Sequence, residues 1–240
     1  MKPPANWIDI LPRSRLMAEM SLWSADLARM ESEMQRVEAG TDIFHIDVAD
    51  GHFSPAFLFF PDLVARCRKI SATPLHVHLM VQDTILESQV DQFAEAGADL
   101  ISVHAENANC AAALVQISKH GLKAGVVLQL HTPVKALAKL LPHISMVTLL
   151  GTRIGVKGQG LDETACDRLR EAAALIAASR QLQRIVLAAD GGIREHTVPQ
   201  LRQAGAETIV MGSLAFNADE FISRMAWVHA QGSIQTRSLP

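Results

Sequence analysis

Eight short apolar runs alternate with eight stretches of helical periodicity between about residues 16 and 228, and that alternation leaves few folds open. The runs at Leu16–Ser21, Phe44–Val48, Leu75–Met80, Leu100–His104, Ala124–Leu128, Met146–Leu150, Arg184–Asp190 and Thr208–Gly212 read as strands. Helical spacing is read at about Ala25–Glu38 (with Ser24 as N-cap), from Pro61 onward, and at Asp83–Ala96, Ala108–His120, Val134–Leu141, Asp162–Ser179, Glu195–Ala204 and Ala218–Val228. Ala-Gly-Ala occurs at 96–98 and again at 204–206, ending a helix each time, where glycine suits the C′ position. Strict alternation predicts a parallel sheet with a crossover helix after each strand. A doubly wound open sheet is the alternative, but eight units favour closure into one α/β (β/α)8 barrel, a TIM barrel. The expected organisation is an N-terminal tail at 1–15, a barrel at 16–231 and a C-terminal tail at 232–240.

Composition excludes several classes of protein. Of 240 residues, 49% are hydrophobic and 20% charged, with a formal net charge of −3, which provides no basic footprint for nucleic acid. No stretch approaches the roughly 18 uninterrupted apolar residues that span a bilayer, and the first fifteen residues hold no apolar run of signal-peptide length. Cys67, Cys110 and Cys166 are odd in number and widely spaced, as in a reducing compartment, and read as inert filling of helical segments. The expectation is a cytoplasmic protein with a small-molecule partner.

Candidate chemistry begins at Phe44-His45-Ile46-Asp47-Val48-Ala49-Asp50-Gly51-His52-Phe53. Strand side chains alternate, so His45 and Asp47 share one face and Ile46 and Val48 the other. Asp50 has the opposite parity and falls at a turn, which makes it a cap rather than a base. Barrel enzymes carry their working residues at the carboxyl ends of several strands. Those ends give Ser21, His45, Asp47, His78, His104, Asp190 and Gly212-Ser213. Two histidines and two aspartates, His45, Asp47, His78 and Asp190, suit one divalent metal such as Zn, Mn, Fe or Co. Gly155, Gly158, Gly191, Gly192 and Gly212 follow strands six to eight, where barrels often bind phosphate. His104, outside the ligand set, reads as a hydrogen-bonded structural histidine.

The ordered motifs His-Ile-Asp-Val-x-Asp-Gly-His-Phe-x-Pro, Val-His-Leu-Met, Val-His-Ala-Glu, Asp-Gly-Gly-Ile and the closing Gly-Ser resemble those of the ribulose-phosphate 3-epimerase family, over roughly Met20 to Phe216. The resemblance implies metal ligands at His45, Asp47, His78 and Asp190, with Asp47 and Asp190 as the acid/base pair. It also implies a substrate contact at Ser21, with His78 and Met80 at the substrate site, and phosphate contacts at Gly155, Gly158, Gly192, Gly212 and Ser213, beside Gly191. The implied reaction inverts the carbon next to a ketone through an enediolate, one carboxylate working on each face. D-Ribulose 5-phosphate to D-xylulose 5-phosphate is the first expectation, and another ketose phosphate such as D-allulose 6-phosphate the second. A homo-oligomer is expected.

Departures from the family pattern fall at the substrate side. Ala49 and Leu150 stand where methionines are usual. The loop Arg153-Ile154-Gly155-Val156-Lys157-Gly158-Gln159 brings Lys157 as a possible phosphate contact, and Phe57–Phe60 is apolar where the family is polar. Metal-independent decarboxylases and aldol synthases of similar architecture need an Asp-x-Lys-x-x-Asp motif, and Ala49 occupies the lysine place. A non-catalytic sugar-phosphate-binding barrel is a third reading; it would be favoured by loss of a metal position, and none is lost. One expectation comes from parity alone. Glu19 and His76 lie two residues before Ser21 and His78, so both should point into the barrel, and neither tolerates burial alone. They are expected within hydrogen-bond reach of each other, orienting His78 or Ser21 from beneath, with His76 not a metal ligand.

Overall fold

The computed structural model describes residues 2–179 and 181–232, so that residues 233–240 of the expected C-terminal tail lie outside the described residues. Eight parallel strands form the barrel: β1 (Met17–Ser21), β2 (Ile43–Asp50), β4 (Leu75–Met80), β5 (Leu100–His104), β6 (Lys123–Leu128), β7 (Met146–Leu150), β8 (Val186–Asp190) and β9 (Thr208–Met211). Neighbours follow chain order, and pairing of β1 with both β9 and β2 closes the sheet. The outer layer includes α2 (Met30–Val37), α3 (Pro61–Ile70), α4 (Asp83–Ala96), α5 (Cys110–Lys119), α6 (Ala165–Ala178), α7 (Val198–Gln203), α8 (Ser213–Phe216) and α9 (Phe221–His229).

Several boundaries differ from the sequence reading for local reasons. The stretch expected as one helix from Ala25 follows a 3-10 turn at Leu22–Ser24, enters through another at Leu27–Arg29 and becomes α-helical only at Met30. Asp26, not Ser24, provides the cap, accepting from the Ala28 N–H at 3.0 Å. Val134–Lys139 is a 3-10 helix followed by a second turn at Leu141–His143; with Pro133 ahead of it and Pro142 inside the second turn, no α-helix is sustained. The last expected helix, Ala218–Val228, begins at Phe221 as α9, and a short separate helix, α8, precedes it. An unexpected strand, β3 (Phe57–Leu58), pairs antiparallel with Ala49–Asp50. In it Phe57 stands exposed, as does Phe60 just beyond, while Phe59 packs against the core.

Among the described residues, two apolar clusters hold the fold. The larger lies between sheet and helices and includes Phe44, Ile46, Val77, Leu79 and Phe93. The smaller sits inside the barrel at its amino-terminal end, where Trp7 and Ile8 of α1 (Trp7–Ile10) pack with Met17, Ile43, Leu100, Met146 and Val186. The segment read as a tail therefore plugs the bottom of the barrel. Above that plug the interior turns polar: Glu19, His76, Ser102, Thr148 and Thr208 are fully buried. Gly125 makes room for this layer, since a Cβ there would lie 2.0 Å from Ser102 Oγ.

Candidate active site

Parallel register aligns the functional side chains. Ser21 pairs with His45, His45 with His76, and Asp47 with His78, so residues of one parity rise through the barrel in layers. The upper layer opens into a cavity of about 450 Å³ in which Ser21, Asp47, His78, Met80 and Asp190 all take part. Loops after β7, β8 and β9 bring Gly155, Lys157, Gly158, Gly191, Gly192, Gly212 and Ser213 to the same cavity. Gly192 has φ +70°, and a Cβ there would lie 2.7 Å from the Leu161 backbone, so only glycine fits this turn. Ala49 is buried in β2, and Leu150 lines the cavity.

His45, Asp47, His78 and Asp190 each offer one atom, all within 4.8 Å of one another. His45 Nε2 lies 3.3 Å from Asp47 Oδ1, and His78 Nδ1 lies 3.5 Å from Asp47 Oδ1 and 3.9 Å from Asp190 Oδ2. Donors of a tetrahedral ion such as zinc sit roughly 3.3–3.5 Å apart, given bonds of about 2.0–2.1 Å. Both ring nitrogens facing this point are buried without a hydrogen-bond partner. Buried polar atoms are normally paired, so two orphaned imidazole nitrogens converging on two carboxylates fit a divalent cation.

Beneath His45, the Glu19 carboxylate is fully buried and accepts from His45 Nδ1 at 3.1 Å and His76 Nδ1 at 2.7 Å. The expected Glu19–His76 pair is present, but it orients His45 rather than His78 or Ser21. The reason is register: Glu19 reaches across β1 to the neighbouring β2 before it reaches the upper layer of β4. His76 Nε2 pairs with Ser102 Oγ at 2.7 Å, so both its nitrogens are engaged away from the upper site. Glu19, His45 and His76 also come close enough to form a lower trio. Burial works to raise the Glu19 pKa, but the two imidazoles outweigh it and hold the carboxylate at about 2.

The two upper carboxylates are driven apart. Burial works to raise Asp47, yet His45 and His78 outweigh it and hold its pKa well below the usual range. Ser21 Oγ also donates to Asp47 Oδ2 at 2.7 Å. Asp190 is pushed up to about 6, by burial first and by the Asp47 charge, against the pull of His45 and His78. Asp50 caps the turn as its parity predicts, accepting from the backbone N–H groups of His52, Phe53 and Gln82.

The matched family model, described as the ribulose-phosphate 3-epimerase family, covers residues 17–216. The chain belongs to the ribulose-phosphate 3-epimerase family. A ribulose-phosphate 3-epimerase of Bacillus subtilis is 35% identical over 202 residues, covering 83% of this chain and 92% of that protein. One from Synechocystis is 36% identical over 212 residues, 87% of this chain and 90% of its own. Membership makes the chain an isomerase of the carbohydrate epimerase type. A solved 3-hexulose-6-phosphate synthase from Salmonella typhimurium superposes with a TM-score of 0.66 at 15% identity, covering 90% of this chain and 98% of its own; this likeness is one of fold. Among the described residues, no helix is long and apolar enough to cross a membrane.

Sequence reading missed several residues of the site. Trp23, Arg153 and Arg194 also line the cavity. Lys157 Nζ donates to the Trp23 carbonyl oxygen at 2.7 Å and lies 4.5 Å from the centre of the Trp23 ring. Trp23 carries no local signal, because it occupies a short 3-10 turn after β1 whose direction periodicity does not give.

Proposed function

We propose that this chain is a metal-dependent ketose-phosphate 3-epimerase acting first on D-ribulose 5-phosphate, giving D-xylulose 5-phosphate. The observation that carries the reading is the convergence of His45, Asp47, His78 and Asp190, of which Asp47, His78 and Asp190 line one cavity with the glycine turns of the last three barrel loops. A bound divalent ion held by those four side chains supplies Lewis-acid stabilisation of negative charge developing on the substrate oxygens. Asp47, ionised and oriented by Ser21, takes the proton from the carbon beside the ketone. Asp190 is the general acid that returns a proton to the opposite face of the planar enediolate. The roles exchange in the reverse direction. Met80 and Leu150 wall the site and limit access of water, and the backbone around Gly192, Gly212 and Ser213 receives the phosphate.

Ala49 and Leu150 favour a second reading, in which a larger ketose phosphate such as D-allulose 6-phosphate is the better substrate. Metal analysis and an epimerisation screen test both. About one divalent ion per chain is expected, with turnover of five- or six-carbon ketose phosphates; absence of epimerisation across four-, five- and six-carbon ketose phosphates overturns the reading. The exposed Phe57 and Phe60 support self-association of the chain, and three free cysteines support a reducing, cytoplasmic setting.

Lys157 belongs to this reading as a phosphate contact. Its ammonium already lies at the cavity, held by Trp23, and burial lowers its pKa. Lys157→Ala is expected to raise KM for the sugar phosphate about tenfold with kcat nearly unchanged, as loss of one charge-assisted contact implies. An unchanged KM assigns Lys157 to the Trp23 clasp alone.

A further inference from the structure

Behind His78, on the side away from the cavity, a chain of hydrogen bonds runs through His104 to Glu106 and the loop after β6. The imidazoles of His78 and His104 stack with centroids 5.0 Å apart, and their Nε2 atoms are 2.9 Å apart. Two ring nitrogens at that distance share one hydrogen, so one donates and the other accepts. His104 Nδ1 lies 3.0 Å from Glu106 Oε2. The other oxygen of Glu106 accepts from the Gln129 backbone N–H at 3.0 Å and from the Thr132 hydroxyl. Phe53 closes over His104, its ring centroid 4.9 Å from that of the imidazole, and His104 is fully buried.

Direction follows from donor inventory. An ionised carboxylate only accepts, so His104 Nδ1 carries the hydrogen. A second proton on His104 would place a cation in the barrel wall, which burial disfavours. His104 Nε2 is then a lone pair, so His78 must donate through its own Nε2–H. The remaining nitrogen of His78, Nδ1, is left bare, and it is the buried, unpartnered atom that faces Asp47 and Asp190.

We infer that His104 and Glu106 are positioning residues that fix the tautomer of His78 and so present its bare Nδ1 to the cation site. The inference rests on the proposed cation site for its purpose, but the tautomer itself does not depend on that reading. Hydrogen-bonding partners behind a liganding histidine orient the ring and are typically worth 10–100-fold in metal affinity.

Glu106→Gln is the discriminating variant, because it keeps shape and exchanges one acceptor for a donor. The loop donors Gln129 N–H and Thr132 retain the amide oxygen, so the NH2 group turns toward His104. His104 must then accept at Nδ1 and donate at Nε2, and His78 is forced to carry its hydrogen on Nδ1, where the cation should bind. Nitrogen-15 NMR of the ring nitrogens, with His78→Gln and His104→Gln samples for assignment, reads this directly. In the wild-type protein without added metal, His78 is expected as the Nε2–H tautomer and His104 as the Nδ1–H tautomer. In Glu106→Gln both are expected to invert, and zinc affinity to fall 10–100-fold, with Glu106→Asp recovering part of it. A wild-type His78 protonated on Nδ1 overturns the inference, with no folded variant needed. So does a folded Glu106→Gln protein with unchanged tautomers and unchanged zinc affinity. The stated wild-type tautomers and their inversion in Glu106→Gln, found in a protein that epimerises no ketose phosphate, support the relay and overturn only the functional reading.

Discussion

Asp47→Asn is expected to abolish exchange of solvent deuterium into the carbon beside the ketone. The argument rests on what the amide cannot do. Asp47 has its pKa held well below the usual carboxylate range, His45 first among the groups that outweigh burial, and is oriented by the Ser21 hydroxyl at 2.7 Å. An asparagine preserves that volume and leaves an oxygen for Ser21, but it has no basic lone pair to take a carbon-bound proton. Loss of a positioned base alone lowers the rate roughly 10²–10⁴-fold, and loss of one of four cation donors adds to that. The measurement is proton NMR of the sugar phosphate incubated with enzyme in D2O, beside a zinc titration. Deuterium entering at the wild-type rate would remove Asp47 from the chemistry. Exchange that recovers at saturating zinc would leave it a ligand only.

The fold and the upper site were legible in the sequence for one reason: each barrel strand has period two. His45 with Asp47, and His76 with His78 and Met80, sit on one face in the sequence pattern, and register places them together in the barrel. The same parity placed Glu19 against His76 before any geometry was known. It did not say which histidine Glu19 would serve, because that depends on the stagger between β1, β2 and β4. The His104–Glu106 relay was hidden for a related reason. Glu106 lies beyond the end of β5, and its anchors, Gln129 and Thr132, belong to the loop after the next strand. Alternation carries no information on how such loops cross. The 3-10 turns at Leu27–Arg29 and Val134–Lys139 were likewise read as α-helix because apolar spacing at i and i+3 serves both.

The buried pair beneath the site carries the second large effect, on stability. Glu19→Leu removes the acceptor shared by two imidazole N–H groups, on His45 and on His76, in a fully buried layer. Leaving a buried donor unsatisfied costs about 1–3 kcal/mol, and two are left here, so denaturant unfolding should show a loss of several kcal/mol. Glu19→Gln is expected to lose less, since its amide oxygen still accepts. His76→Leu leaves Glu19 with His45 alone and frees Ser102 Oγ, and it should also destabilise. The double variant Glu19→Leu/His76→Leu removes carboxylate and imidazole together and refills the layer with apolar volume. It is therefore expected to be more stable than the sum of the single losses predicts, with a coupling of roughly 1–3 kcal/mol. Strict additivity would show that the 2.7 Å contact contributes nothing beyond filling space. The fall in zinc affinity separates the two duties of Glu19. In both variants lacking its carboxylate His45 loses the acceptor that holds its Nδ1–H, so the affinity should stay low in the double variant even where stability returns.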